Sequence, residues 1–183
     1  MITDGRVFIR PPTREDRAPF TDLMRASRTF HSPWATAPTD DDRFAAYLAD
    51  ARRTDIEAML LCRSDDGAIV GFFNLSQIVR RRLQSAYLGY AVGASFAGQG
   101  YMRAGIELVL RHSFTTLQLH RIEANIQPGN ANSLALARGA GFRREGFSPR
   151  YLKIGGRWRD HERWAILAEE WRSRLDGGLA ETP

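Results

Sequence analysis

Residues 83–102 read LQSAYLGYAVGASFAGQGYM. The first ten form a strand pattern that ends near Val92 and Gly93, a short loop follows, and a helix begins close to Gly100. From Tyr101 onward, Met102, Ile106, Val109, Leu110, Ser113, Phe114 and Leu117 recur at three- and four-residue intervals, the spacing of an amphipathic helix. The first turn of any helix carries amides without internal partners, and its aligned peptide dipoles leave partial positive charge there. Such an end holds a phosphate when the ligand reaches the backbone, and glycine at 98 and 100 removes the β-carbons that would stand in the way. A plain tight turn explains the two glycines equally well. Two common phosphate loops are excluded by spacing. The dinucleotide fingerprint needs a glycine where Arg103 stands, and the Walker loop needs Lys-Ser or Lys-Thr where Tyr101 and Met102 stand.

Working outward, RVFIRPP (6–12) alternates and stops at two prolines, as a first strand does before an extended turn. Thr13 and Asp16 resemble a capping box, opening a helix with Phe20, Leu23 and Met24 on one face. A loop-like stretch over 31–42 precedes a second helix with Phe44, Tyr47, Leu48 and Ala51 in helical register. Residues 56–78 read as a hairpin around Asp65-Asp66-Gly67. HRIEANIQ (120–127) alternates, with Ile122, Ala124 and Ile126 on one side and Arg121, Glu123, Asn125 and Gln127 on the other. PGN (128–130) opens a short helix that Gly141 ends, and strands over 142–151 and 158–168 close the pattern around Gly155-Gly156. The order β-α-α-β-β-β-α-β-α-β-β predicts a single mixed-sheet α/β domain over 1–171, with 172–183 as a loose tail.

Hydrophobic residues make up 43% of the 183 and charged residues 26%, an ordinary globular balance rather than a disordered one. The apolar runs are too short to span a bilayer, and MITDGRVFIR lacks the apolar segment of a secretion signal, so the expectation is a cytoplasmic protein without membrane contact. Cys62, the one cysteine, reads as a small core residue, and no metal site is expected. The net charge of +5 is carried almost wholly by arginine, with Lys153 the only lysine. A positive surface attracts phosphate-bearing ligands, acidic proteins or RNA. Arg80-Arg81-Arg82 is the one dense run, and it reads as a solvated hairpin tip, so direct nucleic-acid binding is not expected.

SFAGQGYM (95–102) resembles the acyl-CoA pyrophosphate loop of the GNAT family of N-acetyltransferases, and PGNANSLALARGAGF (128–142) resembles that family's second signature. NLSQIVRR, YLGYAVG, HRIEANIQPGN, GFRREGF and YLKIGGRWRDHE are similar, in order, to its Rim-type branch, the ribosomal-protein-alanine N-acetyltransferases. The likeness runs from about residue 6 to 171; Ser95 departs from it, standing where the family has arginine or glutamine.

The resemblance implies acetyl transfer from acetyl-CoA to a primary amine by direct attack on the thioester. That reaction needs positioning, proton removal and oxyanion stabilisation, but no nucleophilic side chain. It implies cofactor binding by the strand end Tyr90, Ala91 and Val92, by the backbone of Ala97, Gly98, Gln99, Gly100, Tyr101 and Met102, and by Asn130 and Ser133. Asn130 and Ser133 serve equally as ordinary helix caps. Ser133 is the candidate proton donor to the departing sulfur. At the position where some relatives carry a glutamate base stands Asn125, able only to hold a relay water, with Glu123 two residues earlier as the other candidate. An exposed glutamate paired with an arginine is the plainer reading of Glu123. Phe30, Trp34, Tyr151, Asp160 and His161 are the acceptor-side candidates; Trp158 fits core packing as well. The expected acceptor is a protein N-terminus, with a ribosomal protein as the model partner and a homodimer compatible. A small amine, such as an amino acid, polyamine or antibiotic, is the alternative, and a non-catalytic RNA- or ribosome-binding module on the same fold is the remote one.

Overall fold

A computed structural model describes residues 2–3 and 5–179. The strands are β1 (Ile2–Thr3), β2 (Val7–Arg10), β3 (Glu57–Arg63), β4 (Ile69–Val79), β5 (Ser85–Val92), β6 (Arg121–Ile126), β7 (Arg143–Ile154) and β8 (Arg157–Leu167). The helices are α1 (Arg17–Ala26), α2 (Arg28–His31), α3 (Asp41–Asp50), α4 (Tyr101–Arg111), α5 (Ala131–Gly139) and α6 (Ala168–Leu179). All eight strands join one sheet in the order β1-β2-β3-β4-β5-β6-β8-β7. Every neighbouring pair is antiparallel except β5 and β6, which run parallel at the centre, joined by the crossover through α4.

Alternation along the central strands sends apolar side chains to both faces, so the sheet is sandwiched between two cores. On one face Leu61, Phe73, Leu88, Ile122 and Trp164 pack with Ile106, Val109 and Leu110 of α4. On the other, Leu60, Cys62 and Phe72 pack with Phe20 and Met24 of α1 and Phe44 of α3. Phe20 gathers Phe44, Tyr47 and Phe72 at ring-centroid distances of 5.3–5.5 Å, in tilted and stacked arrangements that favour aromatic pairs. Helix α4 lies very close to the sheet at Gly105, where a β-carbon would fall 2.8 Å from Leu61 and Phe73. That close seat fixes the start of α4 relative to the end of β5.

The expected order holds, with additions that carry too little periodicity to read. β1 has two residues and α2 four. The helix from Tyr101 widens into a π turn over His112–Thr116. Residues 172–179, expected in the loose tail, are instead the greater part of α6; its Trp171 packs on Phe114 at 5.6 Å, and Glu170 accepts a hydrogen bond from the Leu167 amide at its entry. The rest of the expected tail, 180–183, lies outside the described residues.

Asp16 ties β2 to the entry of α1. Its carboxylate meets Arg10 through both guanidinium nitrogens, at 2.5 and 2.7 Å, and accepts from the Thr13 amide at 2.7 Å, the acidic half of the expected capping box. Burial pushes the Asp16 carboxyl up, but the hydrogen bonds from Arg10 and Thr13 outweigh it and hold the group below its ordinary value. A carboxyl depressed in the folded state contributes stability that is complete above its unfolded pKa, about 3.9, and is lost as pH falls below that through the folded value. Asp16→Asn, leaving Arg10 without its counterion, should therefore cost about 2 kcal/mol at pH 7. Urea unfolding at pH 7 and at pH 3 checks this, with the difference from the native chain shrinking at the lower pH.

Candidate active site

The parallel strands part early. β5 and β6 pair only at Ser85–Arg121, Ala86–Ile122 and Tyr87–Glu123, although β5 continues to Val92 and β6 to Ile126. Beyond Tyr87 a gap opens between them. The Gly93 amide donates to the Val70 carbonyl, toward β4. Since backbone groups alternate sides along a strand, those of Val92 and Tyr90 point into the gap. His31 meets the Val92 carbonyl there at 2.8 Å, which fixes its Nε2 as the protonated nitrogen. The gap belongs to a cleft of about 400 Å³ that runs from Phe30, His31 and Trp34, past the end of β5 and the loop after it, to Asn130 and Ser133 on α5.

The loop is one 3-10 turn, Ala94–Phe96, followed by two glycines in the left-handed region, Gly98 at φ +74° and Gly100 at φ +82°. Ser27 on the α1–α2 corner accepts from the Ala94 amide at 2.8 Å. Ala97, expected among the phosphate-binding amides, is turned back to the Ala94 carbonyl. Among the described residues, the amides of 98–103 have no hydrogen-bond partner, so the free run starts at Gly98 and extends one residue past Met102. These amides, at the N-terminus of an eleven-residue helix, are placed so that an anion could meet them through backbone alone. Contacts from Arg6 and Gln99 brace this loop. Arg6 donates to the Gln99 carbonyl at 2.8 Å and stacks over the Tyr101 ring at 4.3 Å, while Gln99 reaches back to the Ser95 carbonyl at 2.7 Å.

On α5, Asn130 Oδ1 accepts from the Ser133 amide at 3.2 Å, so it is a helix cap, and its amide nitrogen remains available at the cleft wall. The Ser133 hydroxyl lies 2.7 Å from the Tyr90 hydroxyl. Burial pushes Tyr90 up to about 12, against a smaller opposing effect of Ser133, so the phenol keeps its proton at working pH.

The base candidates stand apart from this pair. Glu123 and Asn125 occupy the α1–α3 face of β6, opposite the buried Ile122 and Ala124. Glu123 accepts from Arg121 Nε at 2.8 Å, the plainer reading of that residue. Asn125 Oδ1 is buried without a partner among the described residues.

Of the acceptor-side candidates, Phe30 and Trp34 line the cleft, and Gln127 Nε2 anchors their loop by donating to the Trp34 carbonyl at 3.0 Å. Tyr151, Asp160 and His161 do not line it. Asp160 accepts from the Arg150 amide at 2.7 Å across a bulge in β7. His161 is 3% exposed, donates from Nδ1 to the Arg159 carbonyl, and is held below the ordinary imidazole value chiefly by burial. Tyr151 packs edge-on to His161 and pushes Tyr87 up to about 12 through hydrogen bonding, with burial second. Trp158, for which core packing was one reading, is 61% exposed. Sequence reasoning did not find Arg6, Ser27 and His31, because each acts on a backbone group more than sixty residues away.

The acetyltransferase (GNAT) domain family model matches residues 6–143. The chain belongs to the GNAT family. It is therefore an N-acetyltransferase by class. Within the family, the ribosomal protein uS5-alanine N-acetyltransferase of Escherichia coli (strain K12) is 37% identical over 180 residues, covering 93% of this chain and 92% of the relative. Mycobacterium smegmatis RimJ, solved in complex with CoA-disulfide, matches with a TM-score of 0.83 at 31% identity, covering 97% and 91%. The spermidine N-acetyltransferase from Vibrio cholerae, in complex with CoA and spermine, shares the fold with a TM-score of 0.79 at 23% identity, covering 92% and 99%.

Proposed function

We propose that this GNAT enzyme acetylates the N-terminal α-amine of a protein, with acetyl-CoA as donor and a ribosomal protein as the first acceptor to test. The reading rests chiefly on the base position. Asn125 cannot take a proton, and Glu123 is engaged by Arg121. An α-amine has a pKa of about 7.7–8.0, so roughly a tenth of it is already neutral at pH 7, whereas an alkylamine near 10.4 is neutral to less than about a thousandth. With no free carboxylate at either β6 position, the site suits the first better than the second.

Charge on the acceptor face supports the same choice. A polyamine, bearing several cations, needs free carboxylates. Here Glu123 is paired with Arg121, Glu162 with Arg144, and Asp160 with a backbone amide.

The pyrophosphate of acetyl-CoA would lie on the amides of 98–103, its pantetheine along the open edge of β5 as an added strand, held by Asn130. The Val92 amide, facing the gap, would donate to the thioester oxygen as charge develops there. The acceptor amine enters past Phe30 and Trp34. Its nitrogen forms the bond to the carbonyl carbon, the carbon–sulfur bond breaks, and the proton lost by the nitrogen passes to water; Ser133 donates to the sulfur and recovers a proton from water through Tyr90.

The test has two parts. Acetyl-CoA should raise the melting temperature, since a ligand of the native state must stabilise it. With an alanine-initiated peptide, kcat/KM should then rise with pH along the titration of the peptide's own amine, near 8, and level off above it. A limb that stays near pH 6.5 when the peptide amine's pKa is changed would mean that a group on the enzyme is the base. Intact-mass analysis showing spermidine acetylated and peptides untouched would overturn the acceptor.

A further inference from the structure

The β7–β8 hairpin extends past the sheet. β6 stops opposite β8 at Ile126–Glu162, but β7 and β8 go on pairing with each other out to Ile154–Arg157. Because β5 and β6 are parallel and β8 is antiparallel to them, this two-stranded arm projects from the end of the sheet where β5 ends at Val92. The loop carrying Phe30 and Trp34 is anchored at that same end, through Gln127 just past β6. The loop and the root of the arm thus stand at the same end of the sheet as the cleft.

The arm is cationic. Residues 148–161 carry Arg150, Lys153, Arg157 and Arg159 against one carboxylate, Asp160, which is bonded to the Arg150 amide. Among the described residues none of the four cations forms an ion pair, whereas arginines 121, 143, 144 and 174 nearby are all paired. Arg150, Lys153 and Arg157 are exposed, and so are Trp158 and Leu152, at 61% and 37%. The β7 bulge, three residues opposite Asp160, sets Arg150 at φ +48°, outside the regular pleat. Unpaired cations with an exposed indole between them form a surface complementary to carboxylates on an extended chain.

The geometry points to this arm as a docking surface for the acceptor polypeptide: it binds acidic residues a few positions beyond the N-terminal amine while that amine sits in the cleft. The inference rests on the protein-N-terminus reading above and makes it narrower, to acceptors with an acidic N-terminal segment. Exposed charges act mainly on encounter, and salt screens them over about 8 Å at physiological ionic strength, so the preference is strongest at low salt.

Two alanine-initiated peptides, one with three glutamates at positions 4–8 and one with glutamines there, are compared by kcat/KM and by fluorescence anisotropy with CoA present. At about 20 mM salt the acidic peptide should be favoured roughly tenfold, and the margin should narrow at about 300 mM. In Lys153→Gln/Arg157→Gln the low-salt preference should fall to roughly threefold, with melting temperature and acetyl-CoA affinity unchanged. Equal use of both peptides by the native chain, or an undiminished preference in the double variant, overturns the proposal. If the acidic peptide binds with the same charge dependence but is not acetylated, the arm stands and the acceptor reading falls. If a single-stranded RNA of equal length binds and the acidic peptide does not, the arm is a nucleic-acid surface and the proposal is wrong.

Discussion

Gly100→Val should remove the rise in melting temperature given by acetyl-CoA and weaken its binding by a hundredfold or more, while the unliganded protein still folds. Gly100 caps α4 at φ +82°, a region a β-branched residue enters only at a cost of about 1–3 kcal/mol. Its β-carbon would also fall 3.3 Å from Arg6 Nη1, a contact that only a shift of the guanidinium relieves. The chain escapes both by rotating the peptide at 99–100. That rotation turns the Gly100 and Tyr101 amides away from a common point and lifts Gln99 from Arg6. The loop is surface and α4 remains seated through Gly105, so the loss falls on the ligand rather than on the core. Calorimetry with CoA and with pantetheine separates the outcomes. The fragment without phosphates should bind native and variant chains alike. Unchanged CoA affinity would place the phosphate site elsewhere.

The fold was legible where side-chain period was strong. The strand at Ser85–Val92, the helix from Tyr101 and the alternation over Arg121–Ile126 all stand within two residues of their expected bounds. What escaped was short or was held by backbone. β1 and α2 span only about one period of their patterns, too short for any repeat to show. Residues 172–183 read as a loose end, yet α6 follows directly on β8, with two glutamates in its first turn as the signal overlooked. In the site, glycine spacing marked the loop of free amides because glycine is a backbone signal. The residues that set that loop, Arg6 and Ser27, left none, since a side chain bound to a remote carbonyl or amide has no periodicity. Tyr90 was expected only for its strand edge; its hydroxyl gains a role from Ser133, forty-three residues on.

That pair carries the second large effect. Ser133→Ala should lower kcat about a hundredfold with the KM for acetyl-CoA nearly unchanged, at the lower end of what a positioned proton donor contributes. The backbone amide of Ser133, not its hydroxyl, bonds Asn130, so the cap of α5 survives, and alanine favours the helix. A hydroxyl rotor alone points its proton anywhere. Tyr90, protonated up to about 12, can donate to Ser133 Oγ at 2.7 Å and so leave the serine proton free for the sulfur. Tyr90→Phe should then cost about tenfold in kcat, by loosening the serine rather than removing it. If the two act in one chain, the double variant is no slower than Ser133→Ala, whereas independent roles would multiply to about a thousandfold. Single-turnover acetyl transfer at saturating acetyl-CoA measures this without product release. A native rate in Ser133→Ala would mean that the thiolate departs unaided, and that the hydroxyl pair serves packing alone.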